Sequence, residues 1–256
     1  MAPLIPPKLE WHRETPTGAA WLDRLPRLVA ECAAQWKLEL EPAFVGGAVA
    51  YCAPAGDAVL KINFPDHEGE HEADALAHWA GDGAVRLLAR DDERRALLVE
   101  RCRPGTPLWD LPEDEALAVA IELFPRLWKP TPADAPFRLL ADEAERWGCP
   151  VLGPTQGELV VVHQDLQGSN VLLSERGWLA IDPKPLLGER EFDLASLIRD
   201  RRFAFDASVV RRRLDVLTEA LRLDRERARL WAIVHARAWG RGDPEMLASA
   251  AALEEA

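Results

Sequence analysis

The stretch LVVVHQDLQGSNVLLSERGWLAIDP, Leu159 to Pro183, decides how this chain is read. It opens on four apolar residues, the pattern of a buried strand, and then abruptly becomes polar: His163, Gln164, Asp165. Asn170 follows five residues after Asp165 and is one of only two asparagines in the 256-residue chain. A second apolar run, the turn Glu175-Arg176-Gly177 and a third run ending in Asp182 complete a strand–loop–strand island. Asp165 and Asn170 are also ordinary turn residues, and His163 is a residue type that a core can satisfy. Their joint spacing, with Asp182 beyond the turn, calls for a chemical explanation as well.

Residues 163–170 follow the pattern of a kinase catalytic loop, H-R-D-L-x-x-x-N, with glutamine in place of the arginine. Chance would produce those four letters in this composition on the order of once in a thousand such chains. The residue types suit phosphoryl transfer, which asks a protein mainly for positioning and charge neutralisation. Asp165 is the carboxylate that would face an attacking hydroxyl. Asn170 and Asp182 are hard oxygen donors on the two arms of one hairpin, as magnesium requires. His163 is read as a brace for that hairpin.

Upstream, AVLKI sets Lys61 on a strand, in the manner of the kinase lysine that grips the nucleotide's α- and β-phosphates. The following stretch HEADAL offers Glu72 as its helix partner, with Glu68 and Glu70 as rivals and a solvated helix face as the plain alternative. Gly46-Gly47 lies between the first strand-like pieces, where a nucleotide loop or a simple hairpin turn would fall. LLVERC precedes Pro104-Gly105, and the backbone of Glu100 to Cys102 would meet adenine at a hinge.

The rest of the chain fits an α+β arrangement of two lobes. A helical pattern covers Ala19 to Trp36, with Pro26 a candidate kink. Strand-like pieces occupy 43–47, 48–54 and 58–64, a helix 68–80, and a further strand pair 84–90 and 96–102. From Pro112 helical patterns dominate, interrupted by proline-rich loops at 130–136 and 150–154, and they resume from Asp193 and again over Leu223–Trp239. The triplet Arg211-Arg212-Arg213 reads as a solvated helix face. The expected organisation is a small β-rich nucleotide-binding lobe, 1–103, and a larger, mainly helical catalytic and acceptor-binding lobe, 104–256.

Composition excludes some classes. With 48% hydrophobic and 29% charged residues the chain can bury a sizeable core. A net charge of −12 disfavours nucleic acid and anionic membranes, and is compatible with a cationic small molecule. Four scattered cysteines suggest reduced, packed thiols rather than zinc ligands or a disulfide framework. The N-terminus lacks the apolar core of a signal peptide, and no run approaches the roughly 20 apolar residues of a membrane span, so a cytoplasmic location is expected. The oligomeric state stays open.

The segment VHQDLQGSNVLLSERGWLAIDPKPLLGEREFDLASLIRD, supported by VLKI, HEADAL and LLVERCRPGTPL, resembles the aminoglycoside phosphotransferase superfamily. IDPKPLLGEREFD resembles in particular its streptomycin 6-phosphotransferase and hydroxyurea phosphotransferase branch. The resemblance implies a two-lobed protein-kinase-like fold, ATP as phosphoryl donor, two magnesium ions and a small hydroxylated acceptor. It also implies that Asp193 buttresses the catalytic loop through hydrogen bonds, a role shared or replaced by N-capping the helix that follows. Lys184 is left between phosphate and a carboxylate as partner. Gln167 departs from the histidine of many relatives, and the last fifty residues carry no alignable motif, so acceptor contacts are expected there. A protein kinase is disfavoured because only ten residues separate Asp182 from Asp193, too few for an activation segment. A sugar or amino-alcohol kinase and a nucleotide-binding pseudokinase are the remaining alternatives.

Overall fold

The computed structural model describes residues 5–132, 134–149, 152–200, 206–240 and 243–255. The chain divides into two compact units, Met1–Gly81 with Val85–Arg103, and Asp82–Ala84 with Pro104–Ala256.

The first unit is an antiparallel sheet with a long helix on one face. Helix α1 (Pro16–Trp36) starts where Thr15 accepts the amide hydrogen of Gly18 and Pro16 supplies the preset first turn. It runs through Pro26 without ending. Strands β1 (Ala50–Ala55) and β2 (Ala58–Asn63) follow, then α2 (Glu72–Trp79), β3 (Leu87–Asp91) and β4 (Ala96–Glu100), paired in the order β1-β2-β4-β3. Strand alternation does the sorting. Tyr51, Ala53, Leu60 and Ile62 pack with Trp21, Leu22, Leu25 and Val29 of α1 in one buried cluster. Lys61, between Leu60 and Ile62, must therefore point to the opposite face.

Two expectations shift here. Residues 43–47 form no strand, because only Glu41 and Phe44 donate backbone hydrogen bonds, to Pro54 and Cys52, and β1 begins at Ala50. The helix expected over 68–80 begins at Glu72, after a turn in which Asp66 accepts the amide hydrogen of Gly69.

The second unit contains α3 (Glu113–Leu127), α4 (Leu140–Arg146), β5 (Val160–Val162), β6 (Val171–Ser174), β7 (Gly177–Ala180), β8 (Leu186–Gly188), α5 (Arg190–Asp193), α6 (Ala195–Ile198), α7 (Ala207–Leu221), α8 (Arg225–Trp239) and α9 (Pro244–Glu254). Asp206, Asp224 and Asp243 cap the last three helices with side-chain oxygens. Strands β6 and β7 pair as the expected hairpin, Val171 opposite Ala180. Strand β5 pairs instead with β8, Val162 opposite Leu186, so the loop after β5 is held by a strand 24 residues later. Ala133, Pro150 and Val151, inside the two proline-rich loops, lie outside the described residues.

Buried ionic contacts position α8. The Arg227 guanidinium forks onto Glu189, at 2.7 and 2.6 Å, and the Trp231 indole donates to the same carboxylate at 2.9 Å. The arginine triplet is not a solvated face: Arg213 is fully buried and donates to the carbonyls of Ile198 and Asp200 and to Glu113. Three consecutive helical residues fan over about 200°, and here the third of them turns to the core. Among the described residues no helix is long and apolar enough to cross a membrane.

Candidate active site

The loop after β5 is held from below by one carboxylate. Asp193, wholly buried at the end of α5, accepts the amide hydrogens of His163 at 2.8 Å and Gln164 at 3.0 Å on one oxygen. Its other oxygen accepts the Trp128 indole N–H at 3.0 Å. One oxygen therefore serves the loop and the other Trp128, and α6 starts without a side-chain cap. Burial pushes the Asp193 carboxyl up to about 6 against these three hydrogen bonds, which pull it down.

The loop itself is tightly wound. Gln164 is left-handed at φ 67°, its carbonyl accepts from the Ser196 hydroxyl at 2.6 Å, and its buried side-chain amide has no hydrogen-bond partner among the described residues. Gly168 donates its amide hydrogen to buried Asp200 at 2.6 Å. The His163 ring donates through Nε2 to the Ile181 carbonyl at 3.0 Å, while the Ile181 amide donates to the Asn170 carbonyl at 2.9 Å. The histidine thus ties the loop to the chain leaving β7.

Asp165 and Asn170 come together inside this frame. Asn170 Nδ2 donates to the Asp165 carbonyl at 2.8 Å and to its carboxylate at 3.2 Å. With its nitrogen so engaged, the amide turns its oxygen the other way, where the Ser169 hydroxyl lies at 3.4 Å. Asp182 follows β7 with an exposed side chain and a left-handed backbone, φ 59°. Pro183 after it disfavours anything but an extended residue, so the conformation is strained, and such strain concentrates at functional sites.

Two cations flank the Asp165 carboxylate. Lys184 Nζ is 3.7 Å from Oδ2, and Arg199 is 3.9 Å from Oδ1. Lys184 thus has a carboxylate neighbour. Arg199, Asp200 and Trp128 were not singled out from the sequence. The first two stand inside LASLIRD with no pattern to mark them, and Trp128 is one of ten tryptophans.

In the sheet unit Lys61 and Glu72 are both buried and paired, Nζ to the two carboxylate oxygens at 2.6 and 2.8 Å. Asn63 donates to the same carboxylate at 2.6 Å. Of the rival acids Glu70 is exposed. Gly46 and Gly47 are exposed and precede β1, so they lie before the first strand of the sheet and the β1–β2 turn is Gly56-Asp57. Glu100 ends β4, its amide donating to Arg86, and Cys102 is half-buried beyond it.

Among the described residues no three His, Cys, Asp or Glu side chains converge on one point. Asn170 and Asp182 nevertheless supply one neutral and one anionic oxygen, which fits magnesium, an ion that keeps waters and takes oxygens from bound phosphate.

The fold is that of the kinase-like phosphotransferases. Choline kinase from Streptococcus pneumoniae superposes with a TM-score of 0.61 at 12% identity, covering 91% of this chain and 100% of its own. The ternary complex of streptomycin, ATP and APH(2")-IIa superposes with a TM-score of 0.60 at 13% identity, over 86% and 95% of the two chains. The sequence is more specific than the fold. Residues 49–148 and 151–241 match the model of the aminoglycoside/hydroxyurea antibiotic resistance kinases. Streptomycin 6-kinase of Streptomyces griseus is 35% identical, over 84% of this chain and 82% of its own. Hydroxyurea phosphotransferase of Kitasatospora aureofaciens is 34% identical, over 84% and 72%. The chain belongs to the aminoglycoside/hydroxyurea antibiotic resistance kinase family and is accordingly an ATP-dependent phosphotransferase.

Proposed function

We propose that the chain transfers the γ-phosphoryl group of ATP to a hydroxyl of a small, cationic, hydroxylated acceptor of the streptomycin kind. The observation that carries the reading is the Asp165–Asn170 pair. One amide locks the loop's carboxylate and presents its own oxygen beside it. In this reading Asp165 accepts the acceptor's O–H and aims its oxygen at phosphorus. Asn170 and Asp182 hold Mg2+, which when bound screens the phosphate charges and fixes their geometry. Lys61, held by Glu72, grips the α- and β-phosphates. The backbone from Glu100 to Cys102 meets the nucleotide's base. His163 and Asp193 keep the loop in shape. The two units serve as nucleotide-binding and catalytic lobes, and the enzyme works in the cytoplasm, where ATP is held.

The acceptor class draws support from the relatives' names and from the net charge of −12, which concentrates polycations near the surface. Purified protein with ATP and Mg2+ should be offered streptomycin, hydroxyurea and neutral sugars. Streptomycin-dependent ATP consumption is expected, with an apparent KM that rises with ionic strength as charges are screened. Efficient turnover of a neutral sugar, without salt-sensitive phosphorylation of streptomycin, would overturn the acceptor and leave the phosphotransferase intact.

A further inference from the structure

Helix α8 reaches the two cations beside the candidate carboxylate. Lys184 Nζ stands 4.4 Å from the centre of the Trp239 ring, and the Arg199 guanidinium 5.5 Å from it. These are the two cations beside Asp165, on opposite carboxylate oxygens. One indole on α8 is thus a shared platform for both, since aromatic faces attract cations at this range. Both cations lie over the indole ring, and its N–H has no hydrogen-bond partner among the described residues. His235, one helical turn earlier, accepts the Arg199 Nε hydrogen on Nδ1 at 3.1 Å. That bond places the ring's own proton on Nε2. Packing against Trp147, Phe192 and Trp239 buries the imidazole. Burial, reinforced by Arg199 and Lys184, holds His235 well below the ordinary histidine range, so it stays neutral and able to accept.

We propose that Trp239 and His235 are positioning residues for phosphoryl transfer, fixing Lys184 and Arg199 so that the Asp165 carboxylate keeps one orientation toward the acceptor hydroxyl. The inference rests on the role proposed for Asp165. Long, flexible cationic side chains do not hold a carboxylate rotor by themselves, because each retains several rotamers. A ring face under both and a buried acceptor on one remove that freedom. The consequence is kinetic, since a displacement of about 1 Å in a reacting geometry costs on the order of a hundredfold in rate.

The test compares Trp239→Leu and His235→Leu with Trp239→Phe, which keeps a ring face, and His235→Asn, which keeps an acceptor for Arg199. Turnover of streptomycin and KM for ATP are measured for each, with melting curves as the folding control. The Leu variants should lose roughly tenfold or more in kcat with KM for ATP unchanged, and the Phe and Asn variants should recover most of it. Unaltered kcat in the Leu variants, a parallel rise in KM for ATP, or a Phe variant as poor as Leu would each overturn the proposal. If Trp239→Leu does not fold, Lys184→Met decides: kcat must fall at constant KM for ATP, and full activity overturns the proposal. Should the wild-type protein phosphorylate no acceptor, the functional reading fails separately. A melting cycle of Lys184→Met, Trp239→Leu and the double variant then judges the platform. Non-additive losses support it, and strict additivity overturns it.

Discussion

Asp193 takes the amide hydrogen of His163, thirty residues earlier in the chain, at 2.8 Å, and does so with no exposure to solvent. Burial raises its carboxyl from the ordinary 3.8 to about 6. The folded protein therefore binds this proton more tightly than the unfolded chain. Its contribution to stability is complete below about pH 4 and is lost as pH rises through about 6. The loss is on the order of 3 kcal/mol. Urea unfolding at pH 4 and pH 7 should show the wild-type advantage over Asp193→Asn shrinking by about that amount at the higher pH. A pH-independent difference would mean that Asp193 titrates at its ordinary value.

Asp165 and Asp182 should separate cleanly in kinetics. Asp165→Asn keeps the side chain's shape beside Asn170 but removes the charge that orients the hydroxyl. General-base assistance amounts to about a hundredfold to ten-thousandfold, so kcat should fall by at least the lower figure while ATP affinity stays near wild type. Asp182→Asn should instead weaken magnesium-dependent nucleotide binding, read by titration with and without the metal. Equal loss of ATP affinity in both variants would show the two roles to be misassigned.

Lys61 and Glu72 form a buried pair, and removing one member strands the other. Lys61→Met should cost about 3 kcal/mol or more in stability. Replacing both, Lys61→Met with Glu72→Leu, should return most of the melting temperature because no unpaired buried charge remains. ATP binding, measured calorimetrically, should not return in the double variant. Recovery of ATP binding would make the pair structural only.

Gln164 carries an amide that is buried without a hydrogen-bond partner among the described residues. A stranded amide costs about 1–3 kcal/mol, and methionine fills similar space without polar N–H or C=O groups. Gln164→Met should therefore raise stability by about 1 kcal/mol in denaturant titrations. A loss of similar size would mean that the amide is satisfied in solution, by water or by substrate.

The local chemistry was legible in the sequence because short spacing is geometry. Asp165 and Asn170 are five residues apart, and one tight turn brings the amide onto the carboxylate, whatever surrounds it. Lys61 could be read as facing away from α1 once its strand was recognised, since alternation leaves no other side. Glu72 was legible only as one of three candidate acids, with Glu68 and Glu70, and the structure selected it by starting α2 there.

The tertiary structure alone decided what holds that chemistry in place. Strand β5 takes β8 as its partner, which no hairpin spacing announces. Arg199 stands beside the loop's carboxylate, while Trp128 braces Asp193, His235 holds Arg199 and Trp239 underlies Lys184 and Arg199, through ring faces and single hydrogen bonds. Residue type does not distinguish them: most tryptophans pack, most arginines are solvated, and Arg213 looked like one of a charged run until its helix turned it inward. A catalytic loop is written in neighbouring letters because the backbone turns within a few residues. The carboxylate's surroundings are set by helix packing, and packing depends on apolar faces across the whole chain rather than on any one spacing.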